Sequence, residues 1–193
     1  MEFWLRSYDW RKEVARLNEL SQYTCHVEVG NFGDLEVHFV HQTSAASDAI
    51  SLLFVHGWPG SFAEVTKILP ILNKAGFHVV APSLPGYDFS SCPNKAGFAN
   101  EQDAKAVHKV MLKLDYQRYV AQGGDWGSDI VRNLGRMFPE HVKTMHINHI
   151  NLVNFENNHI LSIELRKADY RRLPCPNPTS RKSQTTSPSR KDP

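Results

Sequence analysis

One short run, Ser51-Leu52-Leu53-Phe54-Val55, constrains this chain more than any other feature. It shows no polar alternation and ends abruptly in His56-Gly57. A strand with one face in water alternates. A run that is apolar throughout suits a strand covered on both faces, as in a parallel sheet. Phe77–Ala81, closed by Pro82, and Tyr119–Gln122, followed by Gly123-Gly124, read the same way, and Val142–Asn148 gives a fourth strand. Between them lie stretches of helical periodicity. Phe62–Lys74 carries Phe62, Val65, Ile68, Leu69 and Leu72 and stops near Gly76. Asn100–Leu114 has Asn100 as its cap, and Ser128–Phe138 is stopped by Pro139. Strands alternating with helices at this spacing predict an α/β fold with a mostly parallel sheet.

Residues 1–48 read differently, as a leader. Tyr8–Leu20 has Trp10, Val14 and Leu17 at helical spacing behind a cap at Asp9. Thr24–Val29 and Leu35–Val40 flank a turn-rich Gly30–Asp34, which predicts a hairpin. Residues 49–163 form the α/β core. Residues 164–193 read as a basic, Pro/Ser/Thr-rich disordered tail. The net charge of +2 hides this division: Arg166–Pro193 carries eight basic and two acidic residues, whereas the rest of the chain is acidic overall. A basic tail with five prolines and few apolar residues points to solvation, and nucleic acid is not an expected partner. No run approaches the ~18 apolar residues of a membrane span, so none is expected. Cys25, Cys92 and Cys175 are odd in number and form no C-x-x-C pair, which predicts neither a disulfide framework nor a zinc site. With no signal-like N-terminus, a cytoplasmic location is expected. The histidines have no metal-ligand spacing and no phosphate loop is present, so neither a metal nor a cofactor is expected.

Chemistry concentrates in three loops, each after a buried strand. In Gly123-Gly124-Asp125-Trp126-Gly127, glycines two before and two after Asp125 allow a strand and a helix to approach closely across a sharp turn. That is a nucleophile elbow with Asp where serine often stands. The same segment also reads as a tight turn whose Asp caps the helix. His56-Gly57-Trp58-Pro59-Gly60-Ser61-Phe62 has the glycines and proline of an unusual backbone path, with a cis peptide before Pro59 as one outcome. It can equally be an ordinary loop with Ser61 as a cap. Pro82–Ser90 is a long turn of little specificity alone.

In this order, HGWPGSF, the LPGY-x-FS run and GGDWG resemble the α/β-hydrolase family, specifically its epoxide hydrolase branch. The leader residues Asp9-Trp10-Arg11-Lys12 and Leu17-Asn18 resemble the N-terminal segment of fungal and microsomal-type members. The resemblance covers about Tyr8 to Asn148. Asp88 stands where that branch more often has glycine.

The resemblance implies an α/β-hydrolase fold and a small-molecule epoxide substrate. Asp125 would attack an epoxide carbon to form an alkyl-enzyme ester, and water activated by a histidine would then release a diol. The backbone N–H groups of Trp58 and Trp126 would hold the oxyanion, each contributing on the order of 3 kcal/mol. The family places its acid, its catalytic histidine and two lid tyrosines further towards the C-terminus. His146, His149 and His159 read as surface or strand histidines. Glu156, Glu164 and Asp169 are poor candidates for the acid, and Tyr170 lies in the tail. The expectation is an incomplete fold, impaired and halting at the ester. Haloalkane dehalogenases also pair Asp with Trp in the elbow, but HGWPGSF and the leader favour the epoxide branch. A non-catalytic truncated product is the third alternative, and a homo-oligomer is left open.

Overall fold

The computed structural model describes residues 2–149. The tail expected over 164–193, and the end of the core segment, lie outside the described residues. The six-stranded sheet has the order β1-β2-β4-β3-β5-β6. Its strands are β1 (Gln22–Glu28), β2 (Asp34–Gln42), β3 (Ile50–Val55), β4 (Phe77–Pro82), β5 (Tyr119–Gly123) and β6 (Val142–Ile147). The β4-β3-β5-β6 pairings are parallel, and the leader hairpin β1-β2 joins antiparallel through β2 against β4. The expected mostly parallel α/β sheet is therefore present.

The unalternating run at 51–55 has a direct physical account. Leu53 and Val55 point to one face of the sheet, with Tyr119, Ala121, Val37 and Val80. There they meet α4 (Asn100–Lys113) and α5 (Trp126–Met137) through Val107, Met111, Ile130 and Leu134. Leu52, with Phe54 partly buried beside it, points to the other face. That face is covered by Phe62, Val65, Leu69 and Leu17 of α2 (Trp10–Asn18). Side chains on a strand alternate between faces, so burying both faces requires apolar residues at successive positions.

The N-cap of α2 is Asp9, as expected; its Oδ1 accepts from Arg11 N–H (3.0 Å). Several other elements differ in detail from expectation. An additional short helix, α1 (Glu2–Arg6), precedes α2. The helix expected over Phe62–Lys74 is broken into a 3-10 turn, Phe62–Val65, and α3, Leu69–Lys74. Pro70 is the cause. It lacks an N–H, and in a continuous helix its ring would press on the carbonyl of Thr66, so it is accommodated only in the first turn of α3. The cap of α4 is Ala99 rather than Asn100, and Ala99 N–H donates to Gln102 Oε1 (3.0 Å). Cys25 carries a free thiol on β1, and Cys175 lies outside the described residues.

His108 sits on α4, only 5% exposed, stacked on Phe138 with ring centroids 3.8 Å apart. Its Nδ1 lies 2.8 Å from the Tyr119 hydroxyl. Burial, then the neighbouring His141, lowers its pKa to about 4. The unfolded chain would titrate this group near 6.5 and so binds more protons in that interval. The stability it confers is complete above about pH 6.5 and is lost as the pH falls towards 4. Thermal melts from pH 7.5 to 4.5 should show a flat melting temperature that drops below pH 6.5. H108Q, which cannot take up the proton, should show a smaller drop over the same interval.

Candidate active site

The turn between β5 and α5 is made by one strained residue. Asp125 has φ 50° and ψ −127°, a region costly for any residue with a Cβ. The close approach around it explains the flanking glycines. A Cβ on Gly123 would strike the backbone carbonyl of Gly127. One on Gly127 would lie 2.5 Å from Val55 O and 2.8 Å from His56 O. The ends of β3 and β5 and the start of α5 thus meet backbone to backbone. Ser128 Oγ–H donates to Gly123 O (2.9 Å), satisfying a buried carbonyl inside the turn.

The Asp125 side chain is exposed and makes no capping bond to α5. Instead its Oδ1 accepts the Trp58 backbone N–H at 2.8 Å. Gly57 makes room for this: a Cβ there would lie 2.6 Å from both Asp125 Cβ and Oδ1. The Trp58–Pro59 peptide is cis. Ser61 caps the following 3-10 turn through Ala63 N (3.1 Å), as the alternative for this loop had it. Trp126 begins α5, where the first-turn N–H groups face out of the helix N-terminus.

The third loop is tied to the other two by buried histidines. His56 is 1% exposed. Leu84 N–H donates to its Nε2 (3.1 Å), and its Nδ1–H donates to Gly57 O (2.9 Å). His38 lies between Gln22 Oε1 (3.0 Å) and Ser83 Oγ (2.9 Å). Burial lowers the pKa of both histidines, and each is opposed in part by the Asp88 carboxylate. Asp88 has φ 45°. That conformation accounts for a glycine preference at this position, and Asp tolerates it better than most residues. Beside Asp125 opens a cavity of about 440 Å³, whose walls include Trp58, Pro59, Glu64, Asn148 and His149.

Two family models match the chain: one described as "Epoxide hydrolase N terminus" over residues 1–65, and one described as "alpha/beta hydrolase fold" over residues 50–172. The chain belongs to the epoxide hydrolase branch of the α/β-hydrolase family. Epoxide hydrolase 1 of Sus scrofa is 38% identical over 161 residues, which cover 77% of this chain and 34% of the relative. Juvenile hormone epoxide hydrolase 1 of Ctenocephalides felis is 36% identical over 172 residues, 84% of this chain and 36% of the relative. The solved structure of Aspergillus niger epoxide hydrolase superposes with a TM-score of 0.70 at 38% identity, covering 79% of this chain and 40% of that one. The chain therefore spans about a third of the length of the curated relatives it matches.

Of the residues singled out from the sequence of this epoxide hydrolase-family chain, Asp125 and Trp58 are in direct hydrogen-bond contact, and Trp126 adjoins them. His146 is exposed on β6. His149 is exposed, as expected of a surface histidine, yet it also lines the cavity beside Asp125. His159, Glu156, Glu164, Asp169 and Tyr170 lie outside the described residues. Sequence reasoning missed Glu64 and Asn148 on the cavity wall. Glu64 lies three residues after Ser61 in the turn that ends the His56–Phe62 motif, and that position was the available signal. G127A should cost about 1–3 kcal/mol of stability by forcing backbone apart. Denaturant melts measure this, with S47A, on the exposed loop before β3, as the control that should match wild type.

Proposed function

We propose that this chain opens epoxides by nucleophilic attack of Asp125, forming an alkyl-enzyme ester. The observation that carries the proposal is the strained, exposed carboxylate with Trp58 N–H on its Oδ1. An aspartate is ionised at neutral pH and needs no base to attack. With Oδ1 held by the amide, Oδ2 is the oxygen available to strike the less hindered ring carbon. The carbon–oxygen bond of the strained ring breaks, its electron pair leaves on the epoxide oxygen, and that oxygen takes a proton from solvent or from a nearby donor. Oδ1 becomes the ester carbonyl. In the tetrahedral intermediate of hydrolysis it would carry the negative charge, with the N–H groups of Trp58 and Trp126 as its donors.

In the second step water attacks the ester carbonyl, releasing the diol and restoring the Asp125 carboxylate. The first step alone leaves the substrate mass on Asp125, and that mass is the readout. The similarity to epoxide hydrolases favours an epoxide over a haloalkane as the electrophile. Incubation with styrene oxide should add one substrate mass per chain, located at Asp125 by peptide mapping. D125N should abolish the adduct, and 1-chlorobutane should give neither an adduct nor chloride release. The absence of both an adduct and Asp125-dependent consumption of styrene oxide would refute the proposal.

A further inference from the structure

We infer that His56 is a positioning residue: by bonding Leu84 on one side and Gly57 on the other, it aims the Trp58 N–H at Asp125. The argument is geometric. Gly57 O and Trp58 N belong to one peptide unit, which is planar with its carbonyl and N–H pointing in opposite directions. Fixing the oxygen therefore fixes the direction of the hydrogen. Gly57 O is held from two sides, by His56 Nδ1–H at 2.9 Å and by Gly60 N–H at 3.0 Å. At the other end of the same plane, Trp58 N–H reaches Asp125 Oδ1 at 2.8 Å. His56 is itself anchored by the Leu84 amide at 3.1 Å, so the loop after β4 braces the loop after β3.

The two bonds admit one protonation state. Nε2 accepts an N–H and must be bare, so the single ring proton sits on Nδ1. An imidazolium would set one N–H against another and release Leu84. Burial opposes that proton most strongly. The Gly57 carbonyl and the Asp88 and Glu64 carboxylates facing the ring favour it, and Tyr87 packs edge-on at 5.1 Å. The balance lowers the pKa below its ordinary value, so the clamp is intact at neutral pH and fails only on acidification.

The inference deepens the proposed function and rests on it only for the effect on rate. Its first test is an NMR titration of the wild-type chain from pH 7.5 downwards. The Leu84 and Trp58 amide resonances should move with the midpoint of the His56 ring, below 6.5. A ring that titrates while both amides stay still overturns the inference.

The second test compares H56A with H56N, in which the Asn amide nitrogen replaces the Nδ1 donor. H56A should exchange its Trp58 amide about tenfold faster and slow styrene oxide labelling about tenfold, less than the ~10²-fold of losing an oxyanion donor outright. H56N should recover most of both effects. A cooperatively folded H56A with wild-type exchange and labelling overturns the inference. If H56A does not fold, the wild-type titration decides alone. If wild type resists styrene oxide while the amides titrate with His56, the nucleophile proposal fails and the clamp stands.

Discussion

The contact between the end of β5 and the start of α5 governs the architecture around Asp125. Backbone atoms of Gly123 and Gly127 approach so closely that neither residue has space for a Cβ, and Gly127 also rests on the last carbonyls of β3. A chain that must leave a strand and enter a helix in so little space reverses at one residue, and Asp125 takes φ 50° to do it. Strain of this kind costs about 1–3 kcal/mol and persists only where the surroundings over-determine it. The surroundings here are a sheet packed on both faces. Tyr119, Ala121, Ile130 and Leu134, at 2% exposure or less, hold β5 and α5 in place.

Polar groups buried at the same end of the sheet then order the loops. His38, His56 and Ser83 are almost wholly enclosed, and an unpaired polar atom there would cost free energy that the core could ill spare. Each is paired. Gln22 Nε2–H donates to Leu17 O (2.7 Å), which turns Oε1 of the same amide towards His38 Nε2 and fixes that nitrogen as a donor. His38 Nδ1 lies 2.9 Å from Ser83 Oγ, and the same hydroxyl reaches Asp88 Oδ2 at 3.3 Å. Ser90 Oγ accepts from His38 N–H (2.9 Å) and donates to Ser83 O (2.7 Å). These bonds join β1, β2 and the loop after β4, and His56 joins that loop to the one after β3. A fully satisfied network in a low-dielectric interior favours a single arrangement.

What was legible in the sequence was local. The glycines around Asp125 and the run at 51–55 carry their meaning within a few residues, so the elbow, the parallel strands and the leader hairpin could all be read. The break at Pro70 was also local, but the apolar spacing from Phe62 to Leu72 masked it: periodicity reports which residues face the core, not whether the backbone between them is continuous. α1 has only five residues and no buried face, so no periodic signal exists to find. The role of His56 was hidden for another reason. Its partner Leu84 is 28 residues away, and only the parallel pairing of β3 with β4 brings the two loops together. Asp88, a mismatch to the glycine pattern, became intelligible once its positive φ was known.

The two oxygens of one carboxylate explain why an aspartate suits this elbow under the proposed chemistry. A serine at 125 would present one oxygen, and the oxyanion would form on the substrate. An aspartate that attacks through Oδ2 keeps Oδ1 on the enzyme, so the atom that later bears the charge already sits on its donor. The 2.8 Å bond from Trp58 is then preorganised before substrate arrives, and no reorientation is required when charge develops. The same bond limits the carboxylate's freedom to rotate, leaving Oδ2 as the oxygen free to attack. Orientation of the nucleophile and stabilisation of the later intermediate thus depend on one peptide plane. That dependence is why a buried histidine outside the reacting atoms can matter to the chemistry.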